Sequence, residues 1–200
     1  MSNAWIDELA WDKQDGLLPA IIQDANTLCV LMLGYMDRTA LLATMACGEV
    51  TFFSRSRQQL WRKGEQSGNV LRLVSIETDC DQDTLLVLAE PAGPTCHMGS
   101  TSCFPKAPHD VLSVLDARIA DRERERPAGS YTTTLFDAGI RRIAQKVGEE
   151  GVETALAAVV QDDAALLGEA ADLLYHLLVL LRARGLSLAD AKAVLKSRDS

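Results

Sequence analysis

The apolar pattern of the chain changes period near residue 105, and this change limits the possible folds more than any other feature. Upstream of it, short apolar stretches are separated by turn signals, the pattern of strands. Residues 17–22 and 28–33, parted by a polar stretch at 23–27, predict a hairpin. Asp37 is placed to cap a short helix that runs to Cys47 and stops at Gly48. Residues 50–54, 70–76 and 85–89 predict three more strands, followed by a turn over 90–94. Pro105 and Pro108 mark a seam. Beyond them, apolar positions recur at helical spacing over 111–126, 135–160, 164–184 and 188–195, with breaks at Pro127–Gly129 and Gly185. The expectation is two domains: a small mixed, mainly β domain over residues 1–109 and an all-α domain over residues 110–200.

Composition narrows the function classes. The 200 residues include 48% hydrophobic and 24% charged side chains, an ordinary globular mixture that needs no disulfide staples. The net charge of -8 argues against wrapping a nucleic acid. No run of 18 uncharged apolar residues is present, so no membrane span is expected. Three acids precede Lys13, which reads as no secretory leader, and the expected setting is the reducing cytoplasm. Cys29 and Cys47, set among apolar neighbours, read as small core residues.

Three clusters in the first half carry chemistry. Asp79-Cys80-Asp81-Gln82-Asp83 packs three carboxylates and a thiol into five residues. Like charges this close call for a cation. In an extended segment, alternation places the three aspartates on one side and Cys80 on the other, oxygen donors for a hard ion and a thiolate for zinc. Cys96 and Cys103, with His97 between them in sequence, can join Cys80 in a three-thiolate site. Arg55, Arg57, Arg62 and Lys63 form a basic cluster beside Gly64 and Gly68, suited to phosphate. A solvated acidic turn, buried structural cysteines and a charged surface loop are the competing accounts of the same residues.

In the second half, Glu149, Glu150 and Glu153 share a helix, and Glu169, Asp172 and His176 share the next. Spacings of three and four put these groups on common faces. If the two helices pack side by side, the carboxylates converge, and convergence implies divalent cations. Gly148 and Gly151 each cost about 1 kcal/mol in a helix interior; close helix approach or substrate access would account for them. Tyr131, Arg141, Arg142 and Lys146 are placed to meet phosphate charge or to pair with the glutamates. A solvent-facing acidic stripe is the alternative.

These stretches carry a resemblance. Residues 16–24, 31–36, 54–57, Leu60-Trp61, Lys63-Gly64, 67–69, 79–83 and 96–104 resemble phosphoribosyl-AMP cyclohydrolase of histidine biosynthesis. Ser130-Tyr131-Thr132, residues 146–150, Glu153 and residues 169–176 resemble phosphoribosyl-ATP pyrophosphatase, a helical relative of the MazG-type pyrophosphatases. Their order is that of the fused bifunctional proteins. The resemblance implies Cys80, Cys96 and Cys103 as Zn2+ ligands drawn from two subunits of a homodimer, and Asp79, Asp81 and Asp83 as Mg2+ ligands. It implies Glu149, Glu150, Glu153, Glu169 and Asp172 as the metal- and phosphate-handling set, with small nucleotides as substrates. Phosphoribosyl-ATP would lose pyrophosphate with Glu150 or Glu153 handling the water. The adenine ring of phosphoribosyl-AMP would then open at C6–N1, with His97 as base and Arg55, Arg57, Arg62 and Lys63 toward the phosphates. Met98, Gln66 and Gly151 depart from the usual residues without removing a ligand. Two other readings use the same residues. One is a general nucleoside triphosphate pyrophosphatase with a zinc-stabilised accessory domain; the other is a non-catalytic zinc-binding dimerisation module.

Overall fold

A computed structural model describes residues 4–198. The chain divides after Asp110 into two units: the first is a mixed, sheet-dominated structure and the second is helical.

The sheet unit grows from the hairpin. Strands β1 (Leu18–Asp24) and β2 (Val30–Met36) pair antiparallel, with Leu18 opposite Met36. Along β1 Leu18, Ala20, Ile22 and Asp24 are buried while their alternates are half-buried, the period of two that a one-sided core demands. Helix α1 (Arg38–Cys47) starts where the Asp37 carboxylate accepts the Ala40 N–H and ends at Gly48 in the left-handed region. Strands β3 (Thr51–Ser54) and β4 (Gln59–Arg62) form a separate two-stranded hairpin. Strands β5 (Leu71–Thr78) and β6 (Leu85–Pro91) complete a four-stranded sheet ordered β2-β1-β6-β5, in which only β1 and β6 run parallel. Phe52 of β3 is fully buried, and a Cβ at Gly34 would lie 2.4 Å from its ring, so the glycine admits the aromatic against β2. Phe52 in turn meets Trp61 of β4 with ring centroids 5.6 Å apart.

Three expectations need correction here. Strand β4 lies inside the stretch read as a basic phosphate segment, because its partner strand supplies a pattern that charged residues hide. Residues 79–83 form a turn, with Gln82 at φ 60°, and not an extended segment. Cys29 is buried as expected, but Cys47 is exposed at the end of α1.

The helical unit contains α2 (Val111–Glu125), α3 (Tyr131–Ala138), α4 (Ile140–Val160), α5 (Asp163–Ala183) and α6 (Leu188–Lys196). The pattern read as one helix over 135–160 is two, because Gly139 (φ 83°, ψ 171°) breaks it. Helices α4 and α5 pack along each other, joined by Gln161 and by Asp162, whose carboxylate accepts the Ala165 N–H. Ile119, Leu135, Ile143, Leu178 and Val179 form the core. Helix α5 has a window of mean hydropathy 1.7, enough by length and composition alone to cross a membrane. Glu169 and Asp172 interrupt it, so it holds no uncharged apolar run of 18 residues. A Cβ at Gly148 or Gly151 would meet nothing within 4 Å, so close approach within this chain does not explain these glycines.

Candidate functional sites

In the sheet unit a cleft of about 710 Å³ opens between the β3–β4 hairpin and the loop that follows β6. Cys96, His97 and Cys103 line it. The loop is pinned to β2: Cys103 N–H donates to the Leu31 carbonyl at 2.8 Å and the Ser102 hydroxyl to that of Val30 at 2.7 Å. Within it, Cys96 N–H donates to the Ser100 carbonyl at 3.0 Å, and Gly99 takes the positive φ of 85° that the tight turn needs. The Cys96 and Cys103 thiols interact directly, and His97 Nδ1 lies 3.9 Å from Cys96 Sγ. The Met98 N–H, followed by the Ser100 hydroxyl, holds the Cys96 thiol below its ordinary pKa. Loss of water, followed by the neighbouring Cys96, pushes that of Cys103 up. The Thr95 hydroxyl beside them is buried without a partner.

Cys80 does not converge with Cys96 and Cys103 among the described residues of one chain. It is exposed on the turn that brings Asp79, Asp81 and Asp83 together, with one oxygen from each within 4.8 Å of the others. The convergence has a local cause: Asp79 Oδ1 accepts the N–H groups of Asp83 and Thr84, each at 3.0 Å, and curls the segment. Lys13, to which sequence reading gave no role, reaches this turn. Its Nζ lies 2.5 Å from Asp81 and 3.1 Å from Asp83, and the backbone is tied alongside by Ala10 N–H donating to the Gln82 carbonyl at 2.9 Å.

The four cations of the basic cluster separate. Arg57 and Lys63 line the cleft; Arg55 and Arg62 do not. The Arg55 guanidinium lies 3.7 Å from the Tyr35 ring centroid and Arg62 is paired with Glu49 at 3.1 Å.

In the helical unit, Glu150 of α4 meets Glu169 and Asp172 of α5, with one oxygen from each within 4.8 Å of the others. Glu150 is buried, and Lys146 Nζ is 2.6 Å from its carboxylate and 3.0 Å from that of Glu149. Glu149 stands apart from the converging three. Gln145 and Arg142 also hold it, at 2.8 and 3.3 Å. Partial loss of water at this exposed residue, then the charges of Glu150 and Glu169, hold the Glu153 carboxyl above the usual carboxylate range. That electrostatic tie places it beside the three. His176 is buried behind them. Its Nδ1 lies 2.9 Å from the Asp172 carbonyl, an oxygen that can only accept, so Nδ1 donates there; the same nitrogen is 3.6 Å from Glu150 Oε1, and the Tyr131 hydroxyl lies 3.1 Å from Nε2. Sequence spacing paired His176 with Asp172 but could not show Tyr131, 45 residues away.

Three oxygen donors at this spacing suit a hard divalent cation, and two adjacent thiols suit zinc. The first arrangement can neutralise a polyphosphate. The second, with His97 nearby, can serve a hydrolysis in a cleft large enough for a nucleotide.

The chain matches two family models: phosphoribosyl-AMP cyclohydrolase over residues 32–105 and phosphoribosyl-ATP pyrophosphohydrolase over residues 112–199. It is 73% identical over 193 residues to the histidine biosynthesis bifunctional protein HisIE of Xanthomonas campestris pv. campestris, covering 96% of this chain and 94% of that one. The protein of the same name from Xylella fastidiosa strain Temecula1 is 68% identical, covering 98% and 96%, and that of Escherichia coli K12 is 56% identical, covering 96% and 95%.

Proposed function

Since the chain belongs to the family of histidine-biosynthesis bifunctional proteins, enzymes with both cyclohydrolase and pyrophosphohydrolase activities, we propose that its two units work on separate metal sites. The observation that carries this is the presence of a different donor set in each unit: converging carboxylates in one, adjacent thiols in a cleft in the other.

In the helical unit, Glu150, Glu169 and Asp172 hold Mg2+, and Mg2+ so held supplies charge neutralisation for the triphosphate of phosphoribosyl-ATP and a polarised water. Lys146 fixes Glu150 in place. Glu153, which has no such ion pair, takes the proton of the water attacking the α–β linkage. Pyrophosphate leaves and phosphoribosyl-AMP remains. Glu149 stays with Lys146 and Arg142 at the margin, where it orders the basic groups that face phosphate.

In the sheet unit, Cys96 and Cys103 bind zinc together with Cys80 from a second copy, which the separation of Cys80 from the pair within one chain supports. Zinc supplies Lewis acidity that makes water nucleophilic near neutral pH. His97 takes the water proton as oxygen adds to C6 of the adenine ring. The C6–N1 bond then breaks as His97 passes that proton to N1, and the added oxygen becomes that of the carboxamide. Asp79, Asp81 and Asp83 hold Mg2+. Arg57 and Lys63 face the nucleotide.

A homodimer is part of this reading. Val152, Leu156 and Val159 of α4 and Leu167 and Leu174 of α5 are all more than 40% exposed, a row of apolar side chains that a second copy would cover. The working compartment is the cytoplasm, where the free cysteines stay reduced. The test is one reaction mixture containing phosphoribosyl-ATP, Mg2+ and zinc-loaded protein, followed for pyrophosphate and ring-opened ribotide. Both products are expected. Activity toward dATP equal to that toward phosphoribosyl-ATP, with no ribotide, would favour a general nucleotide pyrophosphatase.

A further inference from the structure

Among the described residues, Lys63 is the one buried lysine or arginine, with 8% of its surface exposed. Removing an ammonium from water is costly unless a negative group replaces the lost hydration. In a chain with 28 Asp and Glu residues, no described carboxylate pairs with it. Lys63 nevertheless lines the cleft that holds Cys96, His97 and Cys103.

Its position is fixed by backbone. Lys63 N–H donates to the Val50 carbonyl at 3.0 Å, which continues the β3–β4 hairpin by one residue. Gly64 follows at φ 83°, and a Cβ there would lie 2.4 Å from the Asn69 backbone. Gly68 N–H donates to the Gly64 carbonyl at 2.8 Å. Lys63 is thus the root of a closed arch whose Ser67 and Asn69 line the same cleft. Two kinds of negative group could complete it: the neighbouring thiolates, or an anion brought by the ligand. The Lys63 charge reaches both thiols, but as the smallest influence on each, and the thiols are in contact with each other and form no hydrogen bond with Lys63. Arg55 and Arg62, the other cations of this segment besides Arg57, are engaged with Tyr35 and Glu49.

We infer that Lys63 is the phosphate anchor of the cleft, a buried ammonium with no carboxylate partner that a nucleotide phosphate completes, with Arg57 as its exposed companion and Arg55 and Arg62 outside the binding set. This rests on the reading of the sheet unit as the cyclohydrolase, whose substrate carries phosphates. A lysine serves as a compact point charge, and burial makes that charge count for more than it would on the surface.

Calorimetric titration of full-length, zinc-loaded protein in Mg2+-free buffer, with AMP and with adenosine, tests this directly. Wild type is expected to bind AMP more tightly than adenosine. Lys63→Met should bind adenosine as wild type does and lose at least tenfold in AMP affinity, with unchanged zinc content and a melting temperature no lower than wild type. Lys63→Arg should recover part of the AMP preference, and Arg55→Met should keep all of it. An unchanged ratio of AMP to adenosine affinity in Lys63→Met would overturn the assignment while leaving the cyclohydrolase reading intact if ring opening persists. Loss of zinc with a retained AMP preference would assign Lys63 to the thiols instead. Wild-type protein that neither binds AMP nor opens the ring would remove the premise and the anchor together. If Lys63→Met does not fold, Lys63→Gln carries the same comparison.

Discussion

The Lys146 ammonium lies 2.6 Å from the Glu150 carboxylate, one helical turn apart on α4, and among the described residues it is the one lysine or arginine that meets the buried member of the converging acids, with His176 Nδ1 3.6 Å from the same carboxylate. Lys146→Met would leave a carboxylate with 6% side-chain exposure next to Glu169 and Asp172 without its counter-charge. Such a loss costs about 1–3 kcal/mol. We expect a lower urea midpoint in metal-free protein and a smaller deficit in excess Mg2+, because the divalent ion replaces the missing charge. A deficit of equal size with and without Mg2+ would separate Glu150 from the metal site.

Glu149 gives a pH signature. The hydrogen bond from Lys146 holds its carboxyl below the usual carboxylate range, with Gln145 and Arg142 adding to the effect. A lowered folded-state value means the stabilisation is complete above the unfolded value of about 4.3 and disappears as pH falls through the folded value. Glu149→Gln should therefore flatten the decline in stability below about pH 4 and leave the pH 6–8 region parallel to wild type. An unaltered acid limb in urea titrations across that range would contradict the pairing.

Lys13 is a built-in counter-cation for the aspartate turn. Its ammonium touches Asp81 and Asp83, the groups that would face a divalent ion. Lys13→Met should raise the affinity of that turn for Mn2+, read by paramagnetic resonance, and Asp81→Asn in the same background should abolish the gain. Weaker Mn2+ binding in Lys13→Met would mean that the lysine supports the site and does not compete for it.

The helix glycines separate backbone need from packing. Gly139 adopts a conformation that side chains avoid, so Gly139→Ala should cost about 1–3 kcal/mol. Gly148 has open space around an added Cβ, so Gly148→Ala should stabilise by roughly 0.5–1 kcal/mol. A destabilised Gly148→Ala dimer would show that the second copy approaches there.

Much of the fold is legible where local chemistry sets it. The β1–β2 hairpin follows from alternation, and α1 follows from an Asp37 cap and a Gly48 stop that act within a few residues. Strand β4 is not legible, because Arg62 and its neighbours hide a strand that only β3 reveals. The aspartates at 79–83 converge as their composition suggests, but through a turn made by Asp79 accepting two backbone N–H groups. Nothing in a five-residue window points to Lys13, 68 residues from Asp81. The same limit applies to His176, whose Tyr131 partner comes from another helix, and to Lys63, whose burial without a carboxylate is a three-dimensional fact.

Separate sites make separable activities, and crossed variants measure that most directly. Folded Cys96→Ala and Glu150→Gln proteins would each be given phosphoribosyl-ATP and, independently, phosphoribosyl-AMP, with pyrophosphate and ribotide quantified. Cys96→Ala is expected to release pyrophosphate at the wild-type rate and to accumulate phosphoribosyl-AMP unopened. Glu150→Gln is expected to release no pyrophosphate yet to open the ring of supplied phosphoribosyl-AMP. Loss of both activities in either folded variant, or wild-type pyrophosphate release by Glu150→Gln, would contradict separate sites.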